Sequence, residues 1–164
     1  MQEAYNNLNN SIDEFVKELD KIEEKIKKVD DELKSIKQEL EPLEVEILDI
    51  SSQLREAQRE LHQKLNKAKR VRKQMLNAQT DRQFEMYEKD YDKLMKDINN
   101  LNKKIEELKE EYEELTTKEE KLLEKEFKLE EKKAKLYEKR DSILRHTQSI
   151  IKRLSSKIDR VKSY

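Results

Sequence analysis

The 164-residue sequence contains no glycine, no cysteine and no tryptophan, and only one proline. Glycine supplies the positive φ that tight turns demand, so a chain without it makes few such turns and cannot be a sandwich or a barrel. The lack of cysteine removes disulfides, thiolate metal sites and a cysteine nucleophile, and leaves the redox compartment unread. Phosphate-cradling loops and nucleophile elbows are excluded because both are built on glycine. His62 and His146 stand apart from any ligand-like neighbours and read as exposed helix residues. Adjacent acids such as Glu106 and Glu107 are not acid/base pairs, since that chemistry needs a pocket that splits two pKa values. The expectation is a non-enzymatic protein with no cofactor, no metal and no small-molecule substrate.

No apolar run approaches the ~20 residues needed to cross a bilayer. The segment Met1-Gln2-Glu3-Ala4-Tyr5 has neither the basic nor the apolar stretch of a signal peptide, so a cytoplasmic location is expected, with cytoskeletal association as a variant.

What the chain does contain is charge: 46% of residues are charged, 34% apolar and 5% aromatic. Lys and Arg (37) nearly cancel Asp and Glu (38), which argues against both a disordered polyelectrolyte and nonspecific binding by net charge. Glu, Lys, Leu and Ile dominate, the composition of long helices and coiled coils.

Periodicity gives that composition a form. Tyr5, Leu8, Ile12, Phe15, Leu19, Ile22, Ile26, Val29, Leu33, Ile36, Leu40, Leu43, Ile47, Ile50, Leu54, Ala57 and Leu61 follow one another at alternating steps of three and four. This repeat of 3.5 residues makes a narrow apolar stripe that is buried only against another helix. A second register runs Phe84, Tyr87, Tyr91, Leu94, Ile98, Leu101, Ile105, Leu108, Tyr112 and Leu115.

The two registers are out of phase by two residues, which at ~100° per residue turns the stripe nearly to the opposite face. A stutter or stammer does not absorb that shift, so the chain is expected to turn between them. Residues 77–83 are polar, and Thr80 with Gln83 has the spacing of a capping box, which makes Thr80 the proposed N-cap. The fold class that follows is all-α, a long coiled coil folded as an antiparallel helical hairpin with its bend near 77–83. Its parts are a first coiled-coil helix over 1–79, kinked near Pro42, and a second over 80–164. Residues whose numbers sum to about 160 then face each other, and Pro42 lies at the level of Thr116 and Thr117.

Two stretches break the pattern. Between Leu61 and Met75 an extra step of four reaches Leu65 while Lys64 occupies the regular slot, so local unwinding is expected. From 116 to 150 the seam weakens: Leu122, Leu129, Leu136, Ile143 and Ile150 persist, but the slots between them hold Glu119, Glu126, Lys133, Arg140 and Thr147. Leu123, Tyr137, Leu144, Ile151 and Ile158 widen the stripe into a band, which suggests more than one partner helix. Leu154, Ile158 and Val161 are expected to restore a seam in a rotated phase.

Charge is segregated along the chain. Residues 1–60 carry about −8, 61–82 about +6, 83–130 about −6 and 131–164 about +7. Lys64, Lys67, Lys69, Arg70, Arg72 and Lys73 form the sharpest basic cluster, just below the expected bend. It reads either as a site for nucleic acid or an acidic polymer, or as a solvated face paired with Glu85, Glu88, Asp90 and Asp92. The basic C-terminal third, from Lys132 to Lys162, reads as a binding surface or as a guide for pairing with the acidic N-terminus.

The functional expectation is a coiled-coil scaffold or adaptor that mediates protein–protein association as a rigid spacer, as a homo-oligomer or a subunit of a larger complex. Its seam residues are Ile12, Leu19, Ile26, Leu33, Leu40, Ile47, Leu54, Tyr91, Ile98, Ile105 and Leu115. The alternatives are a cytoskeletal or ciliary filament-associated rod, or an electrostatic binder acting through 64–73.

Overall fold

The computed structural model describes residues 2–162, without the side chain of Lys162. It is an all-α helical hairpin of two long helices packed against each other, α1 (Gln2–Leu76) and α2 (Asp81–Lys162). No strand occurs among the described residues.

The turn between the helices needs no glycine. The amides of Asn77 and Ala78 bond back to the carbonyls of Lys73 and Met75 at 3.1 and 3.3 Å, closing α1 with a tightened last turn. Thr80 then caps α2: its hydroxyl accepts from the Gln83 amide at 3.2 Å. The Gln83 side chain reaches back to the amide of Gln79 at 3.3 Å, one residue earlier than a standard capping box. Asp81 adds negative charge in the first turn, where the helix dipole favours it. No residue among those described has positive φ.

The chain divides into two compact units, Met1–Glu39 with Leu122–Tyr164, and Leu40–Lys121. The division falls beside Pro42, through which α1 runs without a break.

In the first unit Ile22, Ile26, Val29 and Leu33 of α1 are buried with Leu136 of α2, and Leu129, Tyr137 and Ile143 pack around them. In the second, Ala68 and Val71 of α1 are buried with Leu94 and Ile98 of α2, flanked by Leu61, Tyr87, Tyr91 and Met95. A buried Leu or Ile contributes roughly 1.5–3 kcal/mol, so the seam rather than helix propensity holds these segments together.

The expected unwinding around residues 61–75 does not occur. Helix α1 is continuous there, and the covered positions keep alternating by three and four through Leu61, Lys64, Ala68, Val71 and Met75. Leu65, whose spacing suggested a disturbance, is exposed. The helix keeps its register because Lys64 is given a partner.

The second register also runs further than its apolar residues do. From Leu115 onward the less exposed positions include Glu119, Leu122, Glu126, Leu129, Lys133, Leu136, Arg140, Ile143, Thr147, Ile150 and Leu154, still at steps of four and three, with Thr116 and Tyr137 half-buried beside them. Polar side chains fill alternate slots without shifting the phase, because the stems of Lys and Arg cover apolar surface while their charged ends reach water. The rotated C-terminal seam is not formed: Leu154 belongs to the regular series, whereas Ile158 and Val161 are exposed.

Candidate functional site

Heptad spacing places side chains on helix faces, and lettering each core pair a and d locates the rest. On α2 the a positions include Glu119, Glu126, Lys133, Arg140 and Thr147, and the d positions include Leu122, Leu129, Leu136, Ile143 and Ile150. The e positions then follow as Leu123, Glu130, Tyr137, Leu144, Ile151 and Ile158.

Of the seam residues read from the sequence, Ile26, Leu33, Leu40, Ile98, Ile105 and Leu115 are buried. Ile12, Leu19, Ile47, Leu54 and Tyr91 are half-buried. The seam is shallower toward the chain ends, where Ile12 and Leu19 are half-buried, whereas the seam residues from Ile22 to Leu33 are buried.

Lys64 separates from the rest of the basic cluster. Its Nζ lies 2.8 Å from Asp97 Oδ2, a hydrogen-bonded ion pair between α1 and α2 in the second unit. The hydrogen bond from Lys64 holds the Asp97 carboxyl below the usual carboxylate range, against a smaller opposing effect of desolvation, and Lys93 adds a weaker pull in the same direction. Lys67, Lys69, Arg70, Arg72 and Lys73 are exposed. Among the described residues none of these five forms an ion pair, so the cross-hairpin pairing with Glu85, Glu88, Asp90 and Asp92 is not made. Lys64 and Lys67 line one wall of an open groove of about 370 Å³, with Asp90, Lys93 and Asp97 on the other.

The first unit holds a second polar arrangement that sequence reasoning missed. Lys133 Nζ is 2.6 Å from Asp30 Oδ1, and that hydrogen bond raises the lysine pKa above its ordinary value, against the opposing effect of desolvation. Tyr137, one turn along, carries the Lys133 ammonium 5.9 Å and the Arg140 guanidinium 4.6 Å from its ring centre. Both cations sit at cation–π distance from one ring. The Arg140 Nε is buried without a hydrogen-bond partner, while its terminal nitrogen approaches Asp141 at 3.6 Å. A signal for this cluster was present: Lys133, Tyr137 and Arg140 lie at spacings of four and three on one helical face, and 30 and 133 satisfy the facing rule to within a few residues.

Phe15 and His146 meet edge to face, with ring centres 5.6 Å apart and planes at 78°. His146 is exposed and keeps this ring contact, while His62 lies within 3.4 Å of Asn66 on its own helix. No group of three or more His, Asp or Glu side chains suited to a metal occurs among the described residues. An open groove of about 570 Å³ in the first unit runs between the helices, lined by Ile36, Leu122 and Leu129 with mixed charges at its rim.

The feature with the plainest capacity to bind is apolar. Leu123, Leu144, Ile151 and Ile158, the four aliphatic e positions of α2 between 123 and 158, are exposed, and Phe127 beside them is more exposed still. The side chain of Lys162, at the end of the basic third, lies outside the described residues. No helix is long and apolar enough to cross a membrane among the described residues. No protein-family model, curated protein or solved structure matches the chain.

Proposed function

We propose that the chain is a non-enzymatic coiled-coil scaffold or adaptor, which joins proteins by helix packing and acts as a spacer within a larger assembly. The observation that supports this reading is the exposed e-position row of α2, apolar surface on a helix whose a and d positions already face α1. Apolar rows rimmed by charge are surfaces for other helices, and the charges choose partner and orientation. A cytoplasmic setting is part of the same proposal.

In-cell crosslinking of the tagged full chain tests it. Crosslinks to other polypeptides that disappear when Leu144 and Ile151 are changed to Asp are the expected result. Crosslinks that survive those changes and vanish on reversal of Lys69, Arg70 and Arg72 overturn it.

That second outcome belongs to the alternative, an electrostatic binder of nucleic acid or an acidic polymer. The observation in its favour is the set of five exposed cations, Lys67 to Lys73, without ion-pair partners among the described residues.

A further inference from the structure

The exposed row on α2 is flanked by a charge pattern that selects its partner. Within the first unit Leu123, Leu144, Ile151 and Ile158 are 43%, 40%, 53% and 48% exposed, and Phe127 is 64% exposed. Tyr137 continues the row as a half-buried residue, and Glu130 is its one charged member. From 123 to 158 the row covers five heptads, more than the three or four that mark a sustained coiled-coil face, and about 50 Å of helix.

Alongside it run the f positions, Glu124, Glu131 and Glu138 in the first half and Arg145 and Lys152 in the second, with Asp159 at the far end, all exposed. Glu131, Glu138, Arg145 and Lys152 make no ion pair among the described residues. The sign of the rim therefore reverses at residue 141, midway along the apolar row. A helix whose rim runs basic to acidic in the same direction completes it, and α2 itself supplies that rim when turned end for end.

We infer that a second copy of this chain covers the row, with the two α2 segments antiparallel about a two-fold axis beside Asp141. This rests on the scaffold reading and names its partner. In that register residues whose numbers sum to about 282 lie side by side. Leu123 meets Ile158, Tyr137 meets Leu144, and Glu130 lies at Ile151 next to Lys152. Glu131 pairs with Lys152 and Glu138 with Arg145, each pair twice by symmetry. The like-charged pair Glu124 and Asp159 falls at the outer ends. A parallel arrangement places the two f rims on opposite sides of the seam and so makes neither pair. Two hairpins joined this way form a four-helix arrangement over residues 123–158, with the apolar row enclosed.

Light scattering of the purified full chain reads the outcome directly: the expected mass is twice the 19.9 kDa of one chain. Leu144→Asp with Ile151→Asp alters side chains exposed within the hairpin, so helicity by circular dichroism is retained while the dimer dissociation constant rises roughly a hundredfold. Glu138→Arg alone weakens the dimer about fivefold, and Glu138→Arg with Arg145→Glu in the same chain restores it. Orientation is read by single cysteines, since the chain has none of its own. Asp141→Cys forms a disulfide-linked dimer, whereas Ser155→Cys does not, because its two copies stand about 40 Å apart.

A monomer at every concentration, a dimer indifferent to Leu144→Asp with Ile151→Asp, or Ser155→Cys that links as readily as Asp141→Cys overturns the inference. A purified monomer that still crosslinks to other proteins in cells through this row overturns the second copy and leaves the scaffold reading standing. Loss of those crosslinks overturns the scaffold as well.

Discussion

Lys64 in α1 and Asp97 in α2 form a 2.8 Å ion pair at a level of the second unit where the α1 core series places its charged residue. Its sequence neighbours on the two seams, Leu61 and Ala68 on α1 and Leu94 and Ile98 on α2, belong to one apolar cluster. A charged residue in a core slot favours the one register in which its partner is opposite, so the pair acts against slippage along the seam.

Acid titration tests that role. The Asp97 pKa is depressed in the folded chain, so its contribution to stability is present above the ordinary carboxylate pKa and is lost as pH falls through the lower folded value. Lys64→Met returns Asp97 toward the ordinary carboxylate value, read by NMR of the carboxyl carbon, and removes this part of the acid dependence of unfolding.

Lys133 gives the opposite sign. Its pKa is raised by Asp30, so the stabilisation is complete below the ordinary lysine pKa and is lost as pH rises through the folded value. Asp30→Asn abolishes the effect, and the thermal midpoint of the variant then falls less steeply on the alkaline side than that of the parent.

Burial predicts a contrast among apolar sites. Ile26→Asp and Ile98→Asp place a charge in the two seam clusters and are expected to cost about 3–5 kcal/mol, enough to unfold the affected unit. Val45→Asp and Leu48→Asp alter exposed residues and should stay within about 0.5 kcal/mol. Urea unfolding followed by circular dichroism separates the two groups, and equal effects would mean that the seam is wrongly placed.

At the turn, Thr80→Ala removes the acceptor for the Gln83 amide and is expected to cost about 1 kcal/mol, whereas Thr80→Asn keeps an acceptor and much of the stability.

For the basic segment, charge reversal at Lys69, Arg70 and Arg72 lowers any affinity for a DNA duplex or polyglutamate, with a shallower salt dependence. Fluorescence anisotropy across a salt series measures it. Salt-insensitive association removes the electrostatic alternative.

The hairpin was legible because its three signals are properties of spacing alone. The a and d series mark the buried faces, the two-residue phase change requires a turn, and Thr80 with Gln83 places it. Two details differ from the sequence expectation for a common reason, since apolarity alone does not decide which residue fills a core slot. Lys64 and Lys133 hold such slots through partners more than thirty residues away, Asp97 and Asp30, which a local window does not pair with them. Leu65 and the residues of the rotated C-terminal seam, Ile158 and Val161, are apolar and yet exposed. The e-position row was visible as a widened band, but only the hairpin shows which of its members α1 leaves uncovered. Arg140 with Tyr137 needed side-chain geometry, because a ring shared by two cations has no signature beyond ordinary helical spacing.

The short turn at Asn77–Thr80 also imposes an order of assembly. Partners near it are close in sequence, and the loop to be closed lengthens toward the chain ends: Lys64 and Asp97 are 33 residues apart, whereas Asp30 and Lys133 are separated by about a hundred and Phe15 and His146 by more. Loop-closure entropy grows with that length, so pairing starts at the turn and advances outward, each closed layer shortening the loop left for the next. The Leu40–Lys121 unit can therefore nucleate on its own contacts, while contacts as distant in sequence as Phe15 with His146 come last.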